Sequence, residues 1–337
     1  MTRIKNARAL YVEKDKIWIA RGLKFWAIDF DGKPINKPIK VGSSVYNIRV
    51  LRQLLRKGIH HLLPLQNGNF FITLKKKALV VNKKGEMVST FSGYHGNKPG
   101  HRGVCLTPNG FIFFGEYSLN TNRDIEINLY RSVDNGLTFQ IIKSFAPGEI
   151  RHIHFIEWDN YSKCIWLGTG DYGQNNEECR LYRSFDYGDT FELVGSGGQL
   201  WRSIAICPIK EYVYWGTDAG HCKDSNAILR FNKETKSLEN IYELTGPCHG
   251  MCVTRESRIF ISSGVEGGEN EKDRFAKLYK VNNSFVEEIK RIKKDVFPFI
   301  VQYGVIRFPS GCENSNYLIY TAMGLKHNGE NVYIERI

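Results

Sequence analysis

The sequence has no long apolar run. Nothing in its 337 residues approaches the roughly 18 consecutive apolar positions of a membrane-spanning helix, so no membrane span is expected. Its start, MTRIKNARALYVEKDKIWIARG, carries basic residues but no apolar stretch of signal-peptide length. The expectation is a cytoplasmic protein, or a secreted one if a leader has been removed. Paired cysteines at redox or zinc spacing are missing as well. Cys105, Cys164, Cys179, Cys207, Cys222, Cys248, Cys252 and Cys312 form no CxxC and no small-domain disulfide framework. Several sit inside apolar runs and read as buried free thiols. There is no HExxH. Helical periodicity is confined to NIRVLRQLLRK (47–57), which reads as a short helix.

Negative charge is in deficit. The formal net charge of +12 favours an anionic partner, whether acidic polysaccharide, nucleic acid or a lipid surface. Much of the excess lies in short runs such as Lys75–Lys77 and Lys83–Lys84, beside turns. No nucleic-acid motif accompanies them, so acidic carbohydrate is preferred over nucleic acid.

What the sequence does have is repetition. LYRSVDNGLTF (129–139) is followed 52 residues later by LYRSFDYGDTF (181–191). The shared pattern is S-x-D-x-G-x-T-F: Ser132, Asp134, Gly136, Thr138 and Phe139, then Ser184, Asp186, Gly188, Thr190 and Phe191. Each copy lies between two apolar stretches of strand type, so Asp-x-Gly reads as a hairpin turn. Asp accepts hydrogen bonds from the turn, Gly supplies positive φ, and the aromatic plugs the sheet edge. Degenerate copies follow at 24–33, 77–86, 227–236 and 277–285, with a half-copy at 331–337. A second strand–turn–strand series runs in phase with the first, for example GVCLTPNGFIFFGE (103–116) and SIAICPIKEYVYWGTD (203–218).

Two hairpins per period and seven periods of roughly 50 residues predict an all-β, seven-bladed β-propeller of four-stranded antiparallel blades, a single domain over 1–337. The last copy ends at its third strand. The spare segment TRIKNA (2–7) is expected to supply the fourth and close the ring, removing an exposed edge.

The repeated turn resembles the Asp-box, or BNR repeat, of sialidase-like propellers. That resemblance implies a blade-building role for Asp134 and Asp186, away from any substrate face. The arginine triad and Arg-Ile-Pro-type segment of sialidases have no counterpart, and the layout is closer to seven-bladed propeller polysaccharide lyases. Some of those carry His, Tyr and Arg at a central funnel.

Polar residues gather at the starts of the inner strands and at the connections from second to third strand, which a propeller places on one face. They are His101, Arg102, Arg151, His152, His154, Gln199, Trp201, Arg202, His249, Gln302 and Tyr303 in the first set. Glu116, Tyr117, Asp171, Tyr172, Asp218, His221, Glu266 and His327 form the second. The bland reading of each is a cation paired with a neighbouring acid that seals the channel. As a set, they suit an acidic sugar. β-Elimination at a uronate needs carboxylate neutralisation, a base and an acid. Arg202 is the candidate clamp; His152, His154 and His101 are candidate bases; Tyr117 is the candidate acid. Arg102, Arg151, Gln199, Trp201, Glu116, Asp171, Asp218, His249 and Tyr303 are candidate substrate contacts. Arg202 and His152 are expected to meet over one anion. Hydrolysis would instead need two carboxyl groups, drawn from Glu116, Asp171 and Asp218. A non-catalytic glycan- or protein-binding propeller has the same layout. His152 and His154 share one face of a strand. With His249 they form a candidate divalent-metal set against the plainer reading of a polar channel wall.

Overall fold

The computed structural model of the chain describes residues 1–43, 58–171, 176–220, 226–269, 271–326 and 328–337. The helix expected over 47–57 lies outside them, as do Tyr172, His221, Cys222 and His327. The described residues form seven four-stranded sheets with antiparallel neighbours. This is the seven-bladed β-propeller expected from the repeats. Among the described residues the helical elements are short 3-10 turns such as Gln199–Trp201.

The chain divides into two compact units, Met1–Ile59 with Glu211–Ile337, and His60–Lys210. In the first unit, Val305–Arg307, Tyr317–Leu325 and Asn328–Arg336 make three strands of the last sheet. The fourth is Thr2–Lys5, antiparallel to Asn328–Arg336 with Thr2 opposite Ile334 and Lys5 opposite Asn331. The N-terminus therefore completes the truncated last repeat. Its register follows from alternation: Ile4 packs on the apolar cluster of Val332, Ile334 and Tyr320, while Arg3 and Lys5 face water.

In the second unit the blades that matter for function are successive. One is Val104–Leu106, Ile112–Gly115, Ile127–Ser132 and Gln140–Phe145. The next is Ile153–Asp159, Cys164–Thr169, Arg180–Ser184 and Glu192–Ser196. The two best-matching turns each join a third strand to a fourth. In both, the residue before the glycine and the glycine itself are left-handed: Asn135 and Gly136 at φ 59° and 81°, Tyr187 and Gly188 at 57° and 93°. A side chain at Gly136 would collide with Val80 of the preceding blade, and one at Gly188 with Ile142. Asp134 accepts hydrogen bonds from the Ser132 hydroxyl (2.8 Å), the Thr138 hydroxyl (2.6 Å) and the Leu137 and Thr138 amides. Asp186 repeats this with Ser184 and Thr190. Phe139 stacks on Phe91 of the preceding blade, with ring centroids 4.3 Å apart.

The degenerate copies keep the logic with other acceptors. Asp29 takes the Asp31 and Lys33 amides, Asn82 those of Lys84 and Glu86, and Asn232 those of Glu234 and Thr235.

The turn hydrogen bonds carry a testable pH signature. The Thr190 hydroxyl and amide, against a small opposing effect of burial, lower the Asp186 carboxyl from 3.8 to about 2. A depressed carboxylate contributes stability above its unfolded value and loses it as pH falls through the folded one. Asp186→Ala should therefore cost about 1–2 kcal/mol near neutral pH. The gap to the parent should close as pH falls from 3.8 towards 2. Urea unfolding of both proteins across that range measures it; a pH-independent gap would refute the hydrogen-bond origin.

Candidate functional site

Within the second unit, one blade supplies a compact polar cluster. Its innermost strand, Ile153–Asp159, pairs with Cys164–Thr169, but the register slips between Ile153 and Phe155. His154 is the extra residue of this bulge, a device that re-aims a side chain. In the first unit, strand Cys248–Val253 has the same slip around His249, between Cys248 and Gly250. His152 precedes the strand, and the two imidazoles lie with ring centroids 4.8 Å apart. After Thr169 the chain turns through Gly170, at φ 110°, where a Cβ would stand 2.6 Å from the Cys179 backbone. That glycine lets Asp171 come back towards the histidines.

Asp171 is the hub. Its Oδ1 accepts from Arg202 Nη2 at 2.6 Å, and its Oδ2 from Arg151 Nη1 at 2.7 Å. His152 Nε2 lies 3.4 Å from Oδ2. Gln199 accepts from Arg202 Nη1 at 3.2 Å, which sets the guanidinium plane. The group is sunk in the protein: His152 and His154 are 2% exposed, Arg202 6% and Asp171 8%. Burial alone would raise the Asp171 carboxyl. Arg202, His152, His154 and Arg151 outweigh it and hold the carboxyl well below the usual carboxylate range. Burial also works against charge on the imidazoles, lowering His152 to about 3 and His154 to about 4.

The tautomers follow from the acceptors. His152 Nδ1 lies 2.8 Å from the Ser118 carbonyl and His154 Nδ1 2.9 Å from the Ser203 carbonyl. A carbonyl can only accept, so each Nδ1 carries the proton. Both Nε2 atoms then present lone pairs, and they stand 2.8 Å apart. Two neutral imidazoles would repel across that gap. With Asp171 they form a group whose ligand atoms all lie within 4.8 Å of one another. Backbone carbonyls on the far ring nitrogens are the usual outer support of metal-binding histidines.

The other expected residues fall into place around or apart from this cluster. Tyr117, 38% exposed, stacks on His152 with centroids 3.9 Å apart. Glu116 is fully engaged, accepting from the His95 amide (2.7 Å), the Asn128 amide (2.8 Å) and the Tyr130 hydroxyl (3.1 Å). Trp201 packs its ring over Gly195 of the outer strand, where a Cβ would sit 2.1 Å from it. Arg102 is buried, and the carbonyls of Gly100 and His101 meet His61 Nε2. In the first unit His249 Nε2 faces Glu266 at 2.9 Å, Tyr303 lies 6.3 Å from its ring, and Asp218 is buried. The structure thus groups His152 and His154 with Asp171 in the second unit, and pairs His249 with Glu266 in the first.

Sequence reasoning passed over Glu178 and Arg123. Glu178 accepts the Arg151 amide at 2.8 Å and is paired with Arg123, fixing the start of the site strand. Neither belongs to a motif. The seven described cysteines are buried free thiols. Burial pushes Cys179, beside the cluster, up to about 12, so it offers no nucleophile at neutral pH.

The well-matched turn of this blade stands at its far end. Thr169 pairs with Ile153 near the cluster, whereas Ser184 pairs with Ile165. Four residues of strand, about 13 Å, separate Asp186's turn from Asp171's end.

No family model and no curated protein matches the chain. Solved structures do, at the level of fold. A GH74 xyloglucanase from Xanthomonas campestris aligns over 99% of this chain with 14% identity and a TM-score of 0.64. An oligogalacturonate lyase from Vibrio parahaemolyticus aligns over 98% of this chain and 90% of its own, with 10% identity and a TM-score of 0.59. An extracellular domain from B. thetaiotaomicron aligns over 97% of this chain with 12% identity and a TM-score of 0.55. The chain spans only 53% of the xyloglucanase and 38% of the B. thetaiotaomicron chain. These likenesses show a propeller fold that carbohydrate-active enzymes share. No helix among the described residues is long and apolar enough to cross a membrane.

Proposed function

We propose that this chain is a carbohydrate-active enzyme for acidic glycans. It cleaves beside a uronate carboxylate by β-elimination, with a divalent cation held by His152, His154 and Asp171. One observation carries the reading: two buried Nε2 atoms, whose Nδ1 ring partners already bind carbonyls, converge at 2.8 Å beside the Asp171 carboxylate. A divalent cation held by His152, His154 and Asp171 would satisfy all three groups at once. Once bound, it would neutralise a uronate carboxylate and so acidify the adjacent C–H.

The protein's own groups divide the remaining work. Arg202 and Arg151 keep Asp171 ionised and aimed, and Gln199 keeps Arg202 in plane. We read Tyr117, part-exposed and stacked on His152, as the group that gives a proton to the leaving oxygen, and keep His101 as the candidate base on the strength of its place in the repeat. The positive net charge draws an acidic polymer towards the protein. An oligogalacturonate lyase on the same fold supports elimination as the chemistry.

Hydrolysis fits less well. It needs one carboxyl group to be protonated as the general acid. Of the three candidate carboxyls, Asp171 is held ionised between two arginines and Glu116 is occupied by two amides and a phenol, which leaves only Asp218 for that part. We also read the two S-x-D-x-G-x-T-F turns as Asp-boxes that build the blades and take no part in chemistry.

The test is incubation with a panel of acidic polysaccharides in the presence of Mn²⁺, Ca²⁺ or Zn²⁺. Ultraviolet absorbance of an unsaturated uronate is the expected product signal. New reducing ends without it would establish hydrolysis, and binding without turnover would establish a glycan-binding propeller; either would overturn the lyase reading.

A further inference from the structure

The segment after strand Phe285–Lys293 reads KDVFPFIVQYG (294–304). It is a loop that holds apolar side chains out in water. Val296 is 97% exposed and Ile300 85%, with Phe297, Val301 and Tyr303 between 41% and 51%. Five exposed large apolar side chains within eight positions differ from the scattered ones any surface carries.

The loop is nonetheless pinned. Lys294, buried, gives its ammonium to Asp295 and to the Phe297 carbonyl at 2.9 Å. The Pro298 carbonyl accepts the Val301 amide at 2.9 Å and the Gln302 amide at 3.2 Å. Phe299 turns inward, between Arg274 at 5.5 Å and Lys294 at 5.7 Å from its ring centre. Asp295 and Gly304 are tied by backbone bonds to Gly324 and Val265. The fold therefore fixes a tip whose valines, isoleucine and phenylalanine point away from the protein.

The charge at the base of the tip bears on what could cover it. Exposed Lys293 and Lys326 lie at its base, joined by a backbone hydrogen bond of 2.8 Å. Arg274 and Lys294 flank Phe299, and the acid within the loop, Asp295, is taken by Lys294. Val296 and Ile300 standing 85–97% exposed, with lysines at the base of the loop, match the profile of an anionic bilayer: acyl chains within, phosphate headgroups outside. Tyr303, at the end of the loop, is a residue type that favours the headgroup level.

We propose that residues 296–303 insert into the surface of membranes containing anionic lipid and dock the protein there peripherally. The inference uses no residue of the histidine cluster; Tyr303, a candidate substrate contact in the sequence, is the one residue it shares with the lyase reading.

Co-sedimentation with vesicles tests it. The protein should pellet with phosphatidylcholine vesicles containing phosphatidylglycerol, and much less with phosphatidylcholine alone. Raised salt should weaken the binding. Val296→Asp and Ile300→Asp should each reduce the bound fraction by about ten-fold or more, and Lys293→Glu should weaken it too. All three positions are solvent-exposed, so folding should persist, as circular dichroism would verify. No sedimentation with anionic vesicles overturns the proposal. So does a dimer in light scattering that Ile300→Asp dissolves, since a second copy of the chain would then be the occupant.

Discussion

Asp171→Ala is expected to lower the unfolding free energy by about 3–5 kcal/mol, the scale for leaving buried charges without their partner. Arg202 and Arg151 both end on this carboxylate, at 2.6 and 2.7 Å, and Arg202 is 6% exposed. Removing the acid takes away the carboxylate that both guanidinium groups share. Asp171→Asn should cost less, because the amide oxygen can still accept one guanidinium hydrogen bond. Arg202→Ala should be milder than Asp171→Ala, since Arg151 still neutralises the carboxylate. Guanidinium chloride unfolding ranks the three. An Asp171→Ala protein within about 1 kcal/mol of the parent would mean that the hub is solvated in solution.

Replacing either histidine should abolish catalysis while sparing the fold. His152→Gln and His154→Gln are each expected to lower kcat on an acidic glycan by at least about a hundred-fold, as expected when a cation's support is removed. The replacements keep much of the side-chain volume, and glutamine can still donate towards the Ser118 or Ser203 carbonyl. Added divalent cation should not restore the rate. A role confined to packing would instead show lost thermal stability with full activity per folded molecule. Steady-state kinetics with circular dichroism on the same samples separates the two.

The fold could be read from the sequence because its determinants are local. Ser132, Asp134 and Thr138 bond to one another within a single turn, so their spacing shows in the chain; the same holds for Ser184, Asp186 and Thr190. The unfinished last repeat and the spare strand Thr2–Lys5 together implied how the final blade is completed. The site was legible only as residue types. His152 and His154 share a face by alternation, but the bulge that aims His154 leaves no mark in the sequence. Arg202 was expected to meet an outside anion beside His152. In the structure the anion at that place is Asp171, on another strand's end, and such a contact between distant segments has no spacing rule. Glu116 presented a carboxyl in the expected loop. Its engagement by the His95 and Asn128 amides depends on tertiary packing that a single sequence does not display.

The claim on which the functional account rests is that His152, His154 and Asp171 hold a divalent cation. Metal content after exhaustive dialysis tests it most directly, by inductively coupled plasma mass spectrometry of the parent and His154→Gln proteins loaded with Mn²⁺ or Zn²⁺. The account predicts one ion per chain in the parent and none in the folded variant. A metal-free parent after loading, with a strongly downfield proton resonance from a hydrogen shared between the two Nε2 atoms, would contradict it.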